Sequence, residues 1–113
     1  MRSITTHVLD TARGGPARGI PVLLEMQRAD GTWKAVGRGV TNEDGRVNAL
    51  LPGKGQLAAG TYRLTFDTGN YIRGRTTAAF YPHVVVVFRA RAGERYHIPL
   101  LLSPYGYCTY RGS

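Results

Sequence analysis

Hydrophobic and polar residues alternate with a period of two along much of the chain. From Ile20 to Arg28, one face collects Ile20, Val22, Leu24 and Met26 and the other Pro21, Leu23, Glu25 and Gln27, the pattern of a half-buried strand. Thr61 to Phe66 alternates more cleanly, with Tyr62, Leu64 and Phe66 inward and Thr61, Arg63 and Thr65 outward. Val84 to Phe88 is an unbroken β-branched run closed by an aromatic ring, which predicts a strand buried on both faces. Turn signals separate these runs at Ala29-Asp-Gly31, Glu43-Asp-Gly45, Pro52-Gly53, Ala58-Ala-Gly60 and Ala92-Gly93. Only Asp67 to Arg75 offers a short helix, and its two glycines weaken it. Short strands punctuated in this way predict an all-β sandwich, a single domain over residues 1–113.

The same alternation orients the histidines. In Ser3 to Val8, Ile4 and Val8 share one face, so His7 points the other way with Ser3 and Thr5. In Tyr96 to Leu102, the residues Tyr96, Ile98, Leu100 and Leu102 line one face, and His97 shares the other with Pro99 and Leu101. Both rings therefore leave the core. His83 follows Pro82 in a turn and reads as solvated. No Asp, Glu or Cys stands at metal-ligand spacing from these histidines, so no metal site is expected. The tyrosine-rich end, with Tyr105, Tyr107 and Tyr110, reads as a terminal strand whose edge asks for a partner.

Composition narrows the classes. A chain of 113 residues with 42% hydrophobic and 19% charged residues carries enough apolar material for one core, which excludes a disordered or collagen-like chain. The longest stretch free of charged residues, Tyr96 to Tyr110, is shorter than the roughly 18 residues of a membrane span and carries two prolines. The first twenty residues lack the apolar segment of a secretory signal, so a cytoplasmic protein is expected. The net charge of +8 raises nucleic acid as a partner, yet thirteen arginines are dispersed from Arg2 to Arg111 without a basic block. That dispersal predicts a diffuse positive field, which speeds the arrival of a small anion, and neither a nucleic-acid nor a membrane partner.

Four motifs in order carry more information than their spacing. Thr5-Thr-His-Val-Leu-Asp-Thr-Ala-Arg-Gly14, followed by Pro16, Gly19 and Pro21-Val22, resembles the N-terminal signature of the transthyretin-related proteins. Tyr96-His-Ile-Pro-Leu-Leu-Leu-Ser-Pro104 and Tyr110-Arg-Gly-Ser113 match the same family, while Thr41 to Arg46 and Phe66 to Gly69 fall at its DGR and helix-start segments. The terminal YRGS resembles the 5-hydroxyisourate hydrolase branch in particular, and the resemblance covers essentially the whole chain. Cys108 departs from it, standing where many relatives have serine; it reads as a small packed side chain, since no base lies beside it to make it a nucleophile.

The resemblance implies a two-sheet transthyretin-like, immunoglobulin-like β-sandwich with one short helix. It implies hydrolysis of 5-hydroxyisourate to 2-oxo-4-hydroxy-4-carboxy-5-ureidoimidazoline in urate breakdown, without a cofactor, by a homotetramer built as a dimer of dimers with sites at subunit interfaces. His7, Arg46 and His97 are the implied catalytic residues, joined in the pocket by Tyr110, Arg111 and Ser113. The residue types suit the chemistry. A histidine takes a proton from water near neutrality, a guanidinium stabilises the oxyanion, and Ser113 serves as hydrogen-bond donor or anchor, with its α-carboxylate as a further charge. Ser113 as a nucleophile is the weaker alternative, lacking a rigid elbow. A small-ligand carrier of the same fold is the alternative function; it would need an apolar channel where these polar residues stand.

Overall fold

In the computed structural model, which describes residues 3–51, 57–73 and 79–113, the alternating runs become strands of two sheets. In chain order the elements are β1 (Ile4–Asp10), β2 (Gly15–Pro16), β3 (Pro21–Gln27), β4 (Trp33–Val40), β5 (Arg46–Val47), β6 (Gly60–Phe66), α1 (Thr68–Arg73), β7 (Val84–Ala90), β8 (Tyr96–Ser103) and β9 (Gly106–Thr109). One sheet has the order β2-β1-β8-β9, with β5 also paired to β1, and the other the order β4-β3-β6-β7. The central β1 and β8 run parallel over seven residue pairs, from Ile4 beside Tyr96 to Asp10 beside Leu102.

Between the sheets lies one apolar layer. Ile4, Val8, Leu100 and Leu102 enter it from the five-stranded sheet, and Val22, Leu24, Leu64, Phe66 and Val84 from the four-stranded one. These are the inward residues of each alternation. Removing any one of the fully buried leucines would cost about 2–5 kcal/mol.

Some expectations change. Val84 to Phe88 alternates instead of being buried throughout, with Val85 and Val87 exposed. The reason is position: β7 pairs only with β6, so it is an edge strand with one face on the core and one in solvent. Ser3, expected on the outer face, is buried at the entrance to β1, where its carbonyl accepts from the Tyr96 N–H. Cys108 is exposed, not packed, because β9 is the other sheet's edge and turns this side chain outward. The helix begins at Thr68, one residue after the expected Asp67, and runs to Arg73; residues 74 and 75 of the expected helix and the Pro52-Gly53 turn lie outside the described residues. Among the described residues no helix is long and apolar enough to cross a membrane.

Candidate active site

The site is built on the outer face of the five-stranded sheet. Thr5, His7 and Leu9 of β1 and His97 and Leu101 of β8 point away from the core and are half-buried. Parallel register sets Thr5 beside His97, and antiparallel register sets His7 opposite Arg46.

A turn places Arg46. The Asn42 side-chain oxygen accepts from the Asp44 and Arg46 N–H groups at 2.9 and 3.0 Å, and the Asn42 carbonyl accepts from Gly45 N–H at 2.9 Å. Gly45 then takes φ +74° and its carbonyl accepts from the Val8 N–H at 2.7 Å. A Cβ there would stand 2.4 Å from the Val8 carbonyl oxygen. The glycine of Asp-Gly-Arg therefore lets the turn lie against β1, and the residue that follows is delivered across from His7.

His97 is held from two sides. Its Nδ1 lies 2.8 Å from Thr5 Oγ1, and its carbonyl accepts from the Gly112 N–H at 2.8 Å. This contact forms an isolated antiparallel bridge that brings the C-terminal segment onto β8. A cleft of about 600 Å³ opens there, lined by Thr5, Arg46, Asn48, Arg95, Tyr96, His97, Gly112 and Ser113.

Both histidines are held below the ordinary value for the residue. Burial is the larger cause in each, and the Arg46 charge adds to it. At His7 a hydrogen bond to the Asp44 backbone and the Asp44 charge oppose the shift, whereas at His97 the neighbouring His7 reinforces it. Both rings are thus neutral proton acceptors at neutral pH, beside a permanent cation.

The expected pocket residues divide. Arg46, His97 and Ser113 line the cleft, and His7 stands on the same face opposite Arg46 but is not part of the cleft's lining. Tyr110 and Arg111 part company, because the β8–β9 register pairs Leu100 with Thr109 and ends on the His97–Gly112 bridge. Tyr110 consequently falls beside Pro99 on the histidine face, more than half exposed and outside the cleft. Arg111 falls beside Ile98 on the opposite face, with its guanidinium 4.6 Å above the Tyr96 ring and 3.6 Å from Glu94 Oε1. It does not reach the His97 cleft. A larger cleft of about 730 Å³ opens on that side, with Arg111 and Tyr96 at its wall, and none of His7, Arg46 and His97 lines it.

Thr5, Asn48, Arg95 and Gly112 are site residues that the sequence reading did not single out. Thr5 shares the strand parity of His7 and could have been found from it; Asn48 follows the two-residue β5, which no alternation announces; Gly112 sits within the terminal motif; Arg95 carries no pattern signal.

Residues 4–112 match the model of the HIUase/Transthyretin family. A 5-hydroxyisourate hydrolase from Deinococcus radiodurans is 47% identical over 114 residues, covering 97% of this chain and 95% of its own. A 5-hydroxyisourate hydrolase structure from Klebsiella pneumoniae superposes with a TM-score of 0.85 at 31% identity, with both chains fully covered. Sea bream transthyretin in complex with thyroxine superposes with a TM-score of 0.90 at 32% identity, over 97% of this chain and 94% of that one. The fold is common to the hydrolase and to the transthyretin bound to thyroxine, so the polar cluster and the sequence identity must separate them. The chain belongs to the HIUase/Transthyretin family.

Proposed function

We propose that this chain hydrolyses 5-hydroxyisourate at a ring amide, giving 2-oxo-4-hydroxy-4-carboxy-5-ureidoimidazoline. The observation that carries the reading is the juxtaposition of two neutral imidazoles, His7 and His97, with the Arg46 guanidinium on one sheet face. A channel for an apolar ligand would not place these groups together, and the 47%-identical relative is a hydrolase by name.

The chemistry follows from the product. Water adds its oxygen to the ring carbonyl carbon, the ring C–N bond breaks, and the nitrogen leaves carrying the proton that water gave up. The new carboxylic acid then ionises. His7 and His97 move that proton, a role worth about 10² to 10⁴ in rate. Arg46 holds the carbonyl oxygen as negative charge develops on it, through a planar fork of N–H donors that stays charged. Ser113, at the cleft, supplies a hydrogen bond to the substrate or anchors the C-terminal segment.

The assembly that suits this site is a homotetramer, a dimer of dimers. Half-buried Leu9 and Leu101 and exposed Cys108 and Tyr110 surround the polar cluster on an uncovered sheet face. A facing subunit would cover them, exclude water from the histidines and bring Tyr110 to the rim of a site.

The test is the ultraviolet absorbance of freshly made 5-hydroxyisourate. Loss faster than spontaneous decay supports the hydrolase. Retention of ligand without turnover overturns it in favour of a carrier.

A further inference from the structure

We propose that Thr5 is a positioning residue for His97: its hydroxyl holds Nδ1, so that the imidazole presents Nε2 to the cleft. The inference rests on the role given to His97 above, and it adds a residue with no titratable group to the working site.

The argument begins with register. Parallel pairing of β1 and β8 sets Thr5 directly beside His97, and both side chains are half-buried on the outward face. Thr6, one residue on, points inward and donates its hydroxyl to the Ile98 carbonyl at 2.6 Å. The two threonines thus bind the same neighbouring strand from opposite faces, but only Thr5 meets a catalytic ring. Branching at Cβ restricts the first side-chain torsion of threonine, so its hydroxyl is placed with little freedom.

An imidazole that nothing holds rotates about its second torsion, which has two broad minima that exchange nitrogen for carbon at each edge. Here both edges near the backbone are occupied. Nδ1 lies 2.8 Å from Thr5 Oγ1. The opposite edge lies against the C-terminal segment so closely that a Cβ on Gly112 would stand 2.6 Å from His97 Cδ2. Turning the ring over would set a carbon against the Thr5 hydroxyl and lose the hydrogen bond. Nε2 is then the nitrogen left for substrate.

A hydroxyl also suits the proton inventory. It accepts from Nδ1–H while Nε2 carries the lone pair that takes a proton, and the same bond becomes charge-assisted once the ring is an imidazolium. The Thr5 hydroxyl therefore favours the protonated ring that forms during turnover without touching the substrate.

Thr5→Val removes the hydroxyl and keeps the branched shape. The expected result is a fall in kcat of about 10- to 100-fold, with KM and the thermal midpoint close to the parent. Thr5→Ser should restore kcat to within about threefold of the parent. In a His97→Ala background Thr5→Val should cost nothing further, since a residue that acts through His97 has nothing left to position. The proposal is overturned by a valine variant with parental kcat, by a serine variant no better than valine, or by an undiminished loss in the His97→Ala background. Parental activity of His97→Ala alone would overturn the role of His97 as well, which separates the two failures. Should the valine variant not fold, the ring ¹⁵N resonances of His97 in the parent decide. One fixed tautomer with the proton on Nδ1 supports the proposal, and a proton fixed on Nε2 or the averaged mixture of a free imidazole overturns it.

Discussion

His7 and Arg46 are cross-strand partners, paired where the two-residue β5 meets β1, and the pair exists because the Gly45 carbonyl receives the Val8 N–H at 2.7 Å. A guanidinium is thereby fixed beside an imidazole without any hydrogen bond between their side chains being needed. Arg46→Ala should lower kcat/KM by about 10² or more, the usual cost of one charge-stabilising group. Stability should change by less than about 1 kcal/mol, because Arg46 is exposed. Arg46→Lys should recover only part of the activity, since an ammonium lacks the planar fork. Steady-state kinetics on the two variants decide it; kcat/KM within a few-fold of the parent in Arg46→Ala would remove the residue from the site.

Gly45→Ala tests how Arg46 is delivered. A side chain at φ +74° is strained, and its Cβ would meet the Val8 carbonyl oxygen at 2.4 Å. The variant should lose about 1–3 kcal/mol in urea denaturation, and the turn must move off β1. Activity should fall with stability, because the displaced turn carries Arg46 away from His7. A variant with parental stability would show that the turn relaxes without cost.

The histidines give a pH dependence whose sign is fixed. Burial first and Arg46 second hold both rings below their ordinary value of about 6.5. The acidic limb of kcat/KM should therefore have its midpoint below about 6.5. Below that pH the unfolded chain binds more protons at these positions than the folded one. Stability should accordingly fall as pH drops from about 6.5 and level off below the folded values. Replacing Arg46 with Gln removes the second cause only, so both ring midpoints should rise part of the way back in a proton NMR titration. A downward movement would contradict the assigned electrostatics.

The sequence made the inner layer legible wherever one face is buried and the other is not: β1, β3, β6 and β8 all alternate, and His7 and His97 leave the core as their parity requires. The β4 strand escaped because Trp33–Val40 carries two glycines and no apolar alternation, being an edge strand exposed on much of both faces. The β7 run misled for a related reason, since valines at an edge are as β-prone exposed as buried. Motifs located Arg46 but could not say which face Arg111 takes. That depends on the β8–β9 register, a pairing between segments that no local pattern encodes. Thr5 lay in plain view two residues before His7, yet its partner is 92 residues away. Only the parallel β1–β8 register connects them.

The C-terminal segment separates a working tail from a structural end. Deleting residues 110–113 removes the Gly112 N–H that binds the His97 carbonyl, the backbone that closes on the His97 ring, and Ser113 at the cleft. It leaves Val22, Leu64 and Leu100 buried in the core. The interactions lost from the fold are small: one backbone hydrogen bond, the contact of the Arg111 guanidinium with the Tyr96 ring, worth about 0.5–1 kcal/mol at an exposed site, and the Arg111–Glu94 ion pair, whose partners are 63% and 42% exposed, a class worth about 0–1 kcal/mol. Circular dichroism should therefore stay unchanged while kcat/KM falls by about 10² or more. Two single substitutions divide the effect. Gly112→Ala should reproduce much of the loss, because its Cβ must push the His97 ring aside. Arg111→Ala should stay within a few-fold of the parent, because that side chain lies over Tyr96 on the other face of the sheet. A truncated chain with full activity would withdraw Tyr110 and Ser113 from the site together. A severe loss in Arg111→Ala would show that Arg111 reaches a site through a neighbouring subunit.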